Sequence, residues 1–293
     1  MRSVIFFAVL MSSLSIAAIT SSQAKDNKVY AKPPPSVGAH DSRLHEAVSG
    51  AWRTDNDKAR DEFRHPAATL AFWGLKPNMT LVEIRPGGGY WTDILAPYLA
   101  AGKGQLIVTT GDPDMMTPTQ LASRDRFLKR YQDNVGLYGT LQTGVFAANS
   151  PKPLAPAGSV DMILSSRNFH GFVLQNIKDY AIKSMFDALK PGGLVAIEQH
   201  RGDARRPQNA TTGYLRQDWV ISEMRKGGFE FVAASEINAN PKDTKDHPFG
   251  VWTLPPTLTT APIGQKADPS FDTSKYKAIG ESDRMTLLFR KPA

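Results

Sequence analysis

The sequence predicts an α/β fold, a parallel doubly wound sheet, and three observations predict it. From residue 80 onward, short apolar runs rich in β-formers alternate with amphipathic helical patterns. The first run ends in Glu83 and passes a glycine cluster, Gly87, Gly88 and Gly89, into a helical pattern at 91–99. Glycine turns then punctuate the later runs, at Lys190-Pro-Gly-Gly193 and at Gly227-Gly228. In such a sheet, ligands bind outside the carboxyl ends of the strands.

Each element follows in order. Leu44, Ala47, Val48 and Trp52 share one face of a first helix starting at Asp41, and a second helical pattern runs from 56 to 73, broken or capped near Pro66. A strand at 81–84 precedes the glycine elbow. Gly102 and Gly104 turn the chain into a second strand at 105–109, and 119–132 is a charged helix. A third strand falls at 141–147 and a fourth at 159–165. The helix at 176–189 stops at the Lys-Pro-Gly-Gly turn, before a buried fifth strand at 194–198. A helix at 215–226, a sixth strand at 229–233 and a last strand at 285–290 complete the pattern. Residues 237–283 form a proline-containing insertion with little periodicity, and so long a connection inside a compact domain points to a functional segment.

Composition sets the boundaries. Residues 1–24 read as a signal peptide: Arg2 starts it, 4–19 are mostly apolar, and Ser22-Gln-Ala24 has the small-x-small form of a cleavage site. The apolar run, interrupted by Ser12, Ser13 and Ser15, is short for a membrane span. Residues 25–40, polar and carrying Pro33-Pro-Pro35, read as an extended linker. Residues 41–293 then form a single domain, with 41–79 as a helical arm or lid. The expected address is the periplasm. With no cysteine, disulfides, thiolate metal sites and a Cys nucleophile are excluded. The net charge of +7 is scattered among acidic residues, without a basic stripe interleaved with aromatics, so nucleic acid is not an expected partner. A small-molecule or envelope-associated partner is.

The order of signals resembles the class I S-adenosylmethionine-dependent methyltransferases. A strand ending in Glu83 precedes the glycine loop, Asp161 opens another strand, the Lys-Pro-Gly-Gly turn precedes the next, and Gly-Gly-Phe229 enters a sixth. Arg60-Asp61, Arg64-His65-Pro66, Pro86-Gly-Gly-Gly-Tyr90, Arg167-Asn168-Phe-His170, His200-Arg201 and Asn238-Ala-Asn-Pro241 are similar to an exported bacterial group of predicted methyltransferases. The resemblance covers about 80–233 and the final strand. It implies a Rossmann-like seven-stranded doubly wound sheet with an N-terminal helical arm and an insertion before the last strand. It further implies that Glu83, Gly87, Gly88 and Gly89 contact the amino acid end of S-adenosylmethionine. Arg85 stands where such loops usually carry their first glycine. The acid that usually ends the second strand falls near Thr110, so Asp112 or Asp114 would serve only after a shift of the loop.

Other polar residues mark the rim. Asn168 and Tyr90 are candidates for lining the cofactor, and Arg167 for clamping a carboxylate or phosphate. His170 and His200 titrate near neutrality and are the candidate bases. Glu198 and His200 share one face of their strand, but no close histidine pair completes a metal set, so no metal is expected. Asp57, Arg60, Asp61 and Arg64 fall on one helical face. That face is either an ion-paired, solvated surface or a lid with Asp61 and His65 turned to the cleft. Arg201, Tyr214, Asn240 and Asp243 belong to segments that reach the same rim. The expected function is methyl transfer from S-adenosylmethionine to a small or envelope-associated acceptor. The alternative is a silent binding module that kept the fold, its cleft partly filled by Arg85.

Overall fold

The structure, a computed structural model, describes residues 41–262 and 264–293; the expected signal peptide and linker lie outside the described residues. Seven strands form one sheet: β1 (Thr80–Glu83), β2 (Gln105–Thr110), β3 (Gln142–Val145), β4 (Val160–Ser166), β5 (Leu189–His200), β6 (Glu230–Ser235) and β7 (Arg284–Arg290). Their order is β3-β2-β1-β4-β5-β7-β6. Pairing is parallel from β3 through β5. β7 runs antiparallel to both β5 and β6, which corrects the all-parallel expectation. The reason is the insertion. It leaves β6 at Ser235 and returns at the carboxyl end of β5, where Arg284 pairs with His200, so β7 must run backwards.

Both faces of the sheet are buried, as parallel strands require. Period-two alternation divides the core. Val82, Ile107, Ile163, Val195 and Leu287 face one apolar cluster, while Leu81, Leu106, Met162, Ala196 and Leu288 face the other. Asp41 caps the first helix, Ser42–Ser49, and the Tyr98 hydroxyl donates to the same carboxylate at 2.8 Å, docking the arm onto the helix Thr92–Ala101. The Trp73 indole donates to the Leu287 carbonyl at 3.1 Å, anchoring the arm's far end against β7.

Some elements differ from expectation. The helical pattern at 56–73 is three short helices, Asp55–Lys58, Asp61–Arg64 and Pro66–Phe72. The last break falls at His65, with φ of 41°, because a residue before proline is pushed out of the right-handed helical region. β5 is longer than the apolar run: Val160 pairs with Leu189 and Met162 with Leu194, so Lys190–Gly193 is an excursion within the strand. Short helices at Val135–Tyr138, Phe169–Leu174 and Ser274–Ile279 are too brief to show a period in the sequence. Among the described residues, no helix is long and apolar enough to cross a membrane.

Candidate active site

A cleft of about 550 Å³ opens over the carboxyl ends of β1, β4 and β5, where Glu83, Ser166 and His200 reach it. β1 and β4 are neighbours from which the chain winds in opposite directions, the switch point at which doubly wound sheets bind ligands. The arm contributes Arg60 and Arg64 to the wall, and the insertion contributes Trp252, Pro255 and Glu281.

The β1 end carries the glycine elbow. Glu83 is buried and accepts the Thr92 hydroxyl at 2.6 Å from the start of the next helix. Burial raises its pKa to about 8; the Thr92 hydrogen bond opposes the rise and the Asp93 charge adds to it. Gly87 and Gly88 line the cleft, and a Cβ at either would meet nothing within 4 Å, so their main chain is open to a ligand. Gly89 has another duty. It does not line the cleft, and a Cβ there would lie 2.3 Å from the Tyr131 hydroxyl at a φ of +95°, so packing against Tyr131 and the backbone conformation both call for glycine.

Arg85 adopts the left-handed conformation, with φ of 48°, that a glycine at this position would supply. Its guanidinium lies 5.1 Å from the Phe146 ring centroid and 5.5 Å from that of Phe172, and it donates to Gln175 at 2.9 Å. The side chain is thus held on an aromatic shelf, and Gly87 and Gly88 stay uncovered. Asn168 Nδ2 donates to the Ile84 carbonyl at 2.7 Å, tying the loop after β4 to the loop after β1.

Beneath the cleft lies a buried charge network. Glu281 accepts from Arg60 Nε at 2.7 Å, Arg64 Nε at 3.0 Å and Arg284 Nη1 at 2.9 Å. Burial opposes its ionisation, yet Arg284, Arg64 and Arg60 hold its pKa down at about 2. Arg284 also pairs with Glu198 at 2.9 Å, and Ser166 donates to Glu198 at 2.6 Å. Tyr90 sits over this network: Arg64 Cζ lies 4.3 Å from its ring centroid and its hydroxyl donates to Asp61 at 2.7 Å.

The two histidines meet in the cleft, ring centroids 5.7 Å apart, and Trp252 stands 5.8 Å from His170. Burial lowers the pKa of both, and the Arg167 charge pushes each the same way. Each imidazole is therefore neutral at pH 7, the form a base requires. His200 Nδ1 lies 2.5 Å from Ser282 Oγ, and His170 Nδ1 lies 3.2 Å from Gln199 Nε2.

Of the residues expected from sequence, the cleft gathers Glu83, Gly87, Gly88, Tyr90, Arg167, Asn168, His170 and His200. Eight others point elsewhere. Asp112 is tied to Lys152 at 2.7 Å and Ser150 at 2.5 Å, away from the cleft, and Asp114 binds the same lysine. Asp61 holds Arg53 and Tyr90, and His65 faces Asn238 at 3.2 Å. Arg201 pairs with Asp283 and Glu236. Tyr214 donates to Asp243, and Asn240 to the carbonyls of Ile279 and Glu281, so these residues pin the insertion. The solvated-face reading of the arm is corrected too, because Arg64 is fully buried. Glu281, Ser282 and Trp252 were missed; the one signal was a charged run, Glu281-Ser-Asp-Arg284, leading into an apolar strand. Among the described residues, no group of three or more His, Asp or Glu side chains could hold a metal.

Seven strands in this order, with the last reversed, are the class I S-adenosylmethionine-dependent methyltransferase fold. No protein-family model matches the chain, and no curated protein matches it. Among solved structures it is similar to the [4+2]-cyclase SpnF, at 16% identity and a TM-score of 0.50, covering 86% of this chain and 93% of that one. It is similar to a SAM-dependent methyltransferase from Aquifex aeolicus, at 18% identity and a TM-score of 0.48, covering 67% of this chain and 92% of that one. It is also similar to an arsenic(III) S-adenosylmethionine methyltransferase from Chlamydomonas reinhardtii, at 17% identity and a TM-score of 0.46, covering 90% and 75%. At such identities likeness speaks to fold and leaves chemistry to the site.

Proposed function

We propose that this protein transfers a methyl group from S-adenosylmethionine to a small or envelope-associated acceptor, in the periplasm after removal of residues 1–24. One observation carries the reading: the open main chain of Gly87 and Gly88 beside the buried carboxyl of Glu83, at the switch point of this fold. The residues present suit the cosubstrate. Glu83 would take its ammonium group, losing its own proton as it does so, and the loop N–H groups its carboxylate. Bound S-adenosylmethionine would supply an electrophilic methyl on a sulfonium.

The chain's part is alignment and proton management. Tyr90 is fixed by Asp61 and three arginines and gives the cleft a rigid wall. Trp252, Pro255 and Pro256 give the cleft an apolar wall on the side of the insertion. His170 or His200, neutral and side by side, takes the proton that the acceptor's nucleophile loses.

Thermal melting tests the reading, because a ligand selective for the folded state raises the midpoint. S-adenosylmethionine and S-adenosylhomocysteine should each raise it, and adenosine alone should do so less. No shift with any of them would overturn the reading. The proposed address is tested separately: protein released by osmotic shock should begin at Lys25.

A further inference from the structure

The cleft gathers guanidinium groups from the arm and from the loops after β1 and β4, carboxyl groups of Asp57, Glu83 and Glu281, and apolar side chains from the insertion. Among the cations, Arg167 stands apart. Arg60 and Arg64 have Glu281, and Arg85 has its aromatic shelf. Arg167 has no ion pair among the described residues, and its buried Nε has no hydrogen-bond partner. Beside it, Arg64 Nη1 and Nη2 are also without hydrogen bonds. Burial pulls the Arg167 pKa down to about 9 and the nearby Arg64 charge adds to the fall, while the charges of Glu198 and Glu281 oppose it from beyond ion-pair distance. Its backbone is held in the left-handed region, φ 57°, by a 2.6 Å hydrogen bond from its N–H to the Glu198 carbonyl. The fold thus keeps a guanidinium without a direct hydrogen-bond or ion-pair partner for its side chain at a strained backbone position, an arrangement that persists where a ligand completes it.

We infer that Arg167 seats the anionic head, a carboxylate or phosphate, of the methyl acceptor, whose apolar body packs against Trp252, Pro255 and Pro256. The inference rests on the methyl-transfer reading. Its position separates this seat from the cosubstrate's. The glycine elbow continues β1, whereas Arg167 continues β4 into the helix Phe169–Leu174, which carries His170 against Trp252. Guanidinium is suited to both heads, which it grips through paired N–H groups. The seat is also coupled to the bases. The Arg167 charge depresses the basicity of His170 and His200, so an anion that neutralises it makes both imidazoles stronger bases as the acceptor arrives.

The test uses the mature protein with phenyl phosphate, phenylacetate, neutral phenylacetamide and inorganic phosphate as probes. The two aromatic anions should bind, phenylacetamide should not, and inorganic phosphate should bind more weakly than phenyl phosphate. Stronger response to phenyl phosphate or to phenylacetate identifies the head. In Arg167→Met, anion affinity should fall at least about tenfold while S-adenosylhomocysteine affinity stays within about threefold. Phenyl phosphate should raise the His170 pKa, read by NMR, in the parent and leave it unmoved in Arg167→Met. Equal binding of the amide, or undiminished anion binding by Arg167→Met, overturns the inference. So does equal loss of S-adenosylhomocysteine, which would give Arg167 to the cosubstrate. If the parent binds the anions but no S-adenosylhomocysteine, the anion seat stands and the methyl-transfer reading falls.

Discussion

The Thr92 hydroxyl donates to Glu83 at 2.6 Å, joining the last residue of β1 to the first turn of the following helix across the glycine elbow. The bond positions a buried carboxyl that is neutral at pH 7. Its folded pKa, about 8, lies above the ordinary 4.5 of a glutamate. The sign follows directly. The folded state binds this proton more tightly than the unfolded chain, so stability is full below 4.5 and declines as pH rises towards 8. Glu83→Gln keeps an acceptor for Thr92 and removes the titration. It should stabilise the free protein at pH 7 by on the order of 3 kcal/mol, with little effect near pH 4. Urea melts at the two pH values check this, and the same variant should bind S-adenosylhomocysteine about tenfold more weakly.

Neighbouring glycines should respond oppositely. Gly89→Ala places a Cβ 2.3 Å from the Tyr131 hydroxyl in a left-handed conformation, and should cost about 1–3 kcal/mol in a denaturant melt. Gly88→Ala meets open space and should stay within about 0.5 kcal/mol of the parent.

The buried network should fail at low pH and on losing one member. Arg284, Arg64 and Arg60 hold the Glu281 pKa at about 2, below its ordinary 4.5, so the stability it contributes is present above 4.5 and lost as pH falls towards 2. Arg284→Met leaves Glu198 without its ion pair and Glu281 with only Arg60 and Arg64, and should destabilise by about 3–5 kcal/mol. Thermal melts between pH 7 and pH 3 should show a shallower acid slope for Glu281→Gln than for the parent.

Removing a base should slow transfer without unfolding the chain. His170→Gln or His200→Gln should lower kcat by about 100-fold or more in whichever residue takes the proton. Because burial lowers both pKa values beneath the ordinary 6.5, the parent's activity should hold at pH 6.5 and fall only below it. A pH–rate profile with any accepted substrate reads both effects.

Short apolar runs and glycine turns made the strands legible, because a sheet buried on both faces imposes a continuous apolar pattern. Glu83, Gly87 and Gly88 were legible for the same reason: they sit at the one place where a strand pattern changes to a helical one. The arm misled because Arg60 and Arg64 have helical spacing, whereas the chain breaks at His65 and turns both onto Glu281, more than two hundred residues away in sequence. Asp112 misled for a local reason: Lys152, beyond β3, takes its carboxylate. The insertion carried no period to read, since polar side chains such as Tyr214, Asn240 and Asp243 hold it in place.

The most direct test of the central claim is calorimetric titration of S-adenosylhomocysteine into the parent and into Gly88→Leu. A Cβ at this position meets nothing within 4 Å in the free protein, and a leucine side chain would occupy the open face of the elbow. The parent should bind saturably and one-to-one, with proton release from Glu83 seen as buffer-dependent heat, and the variant at least about tenfold more weakly. No heat from the parent at millimolar ligand, or equal affinity in both proteins, would contradict the claim.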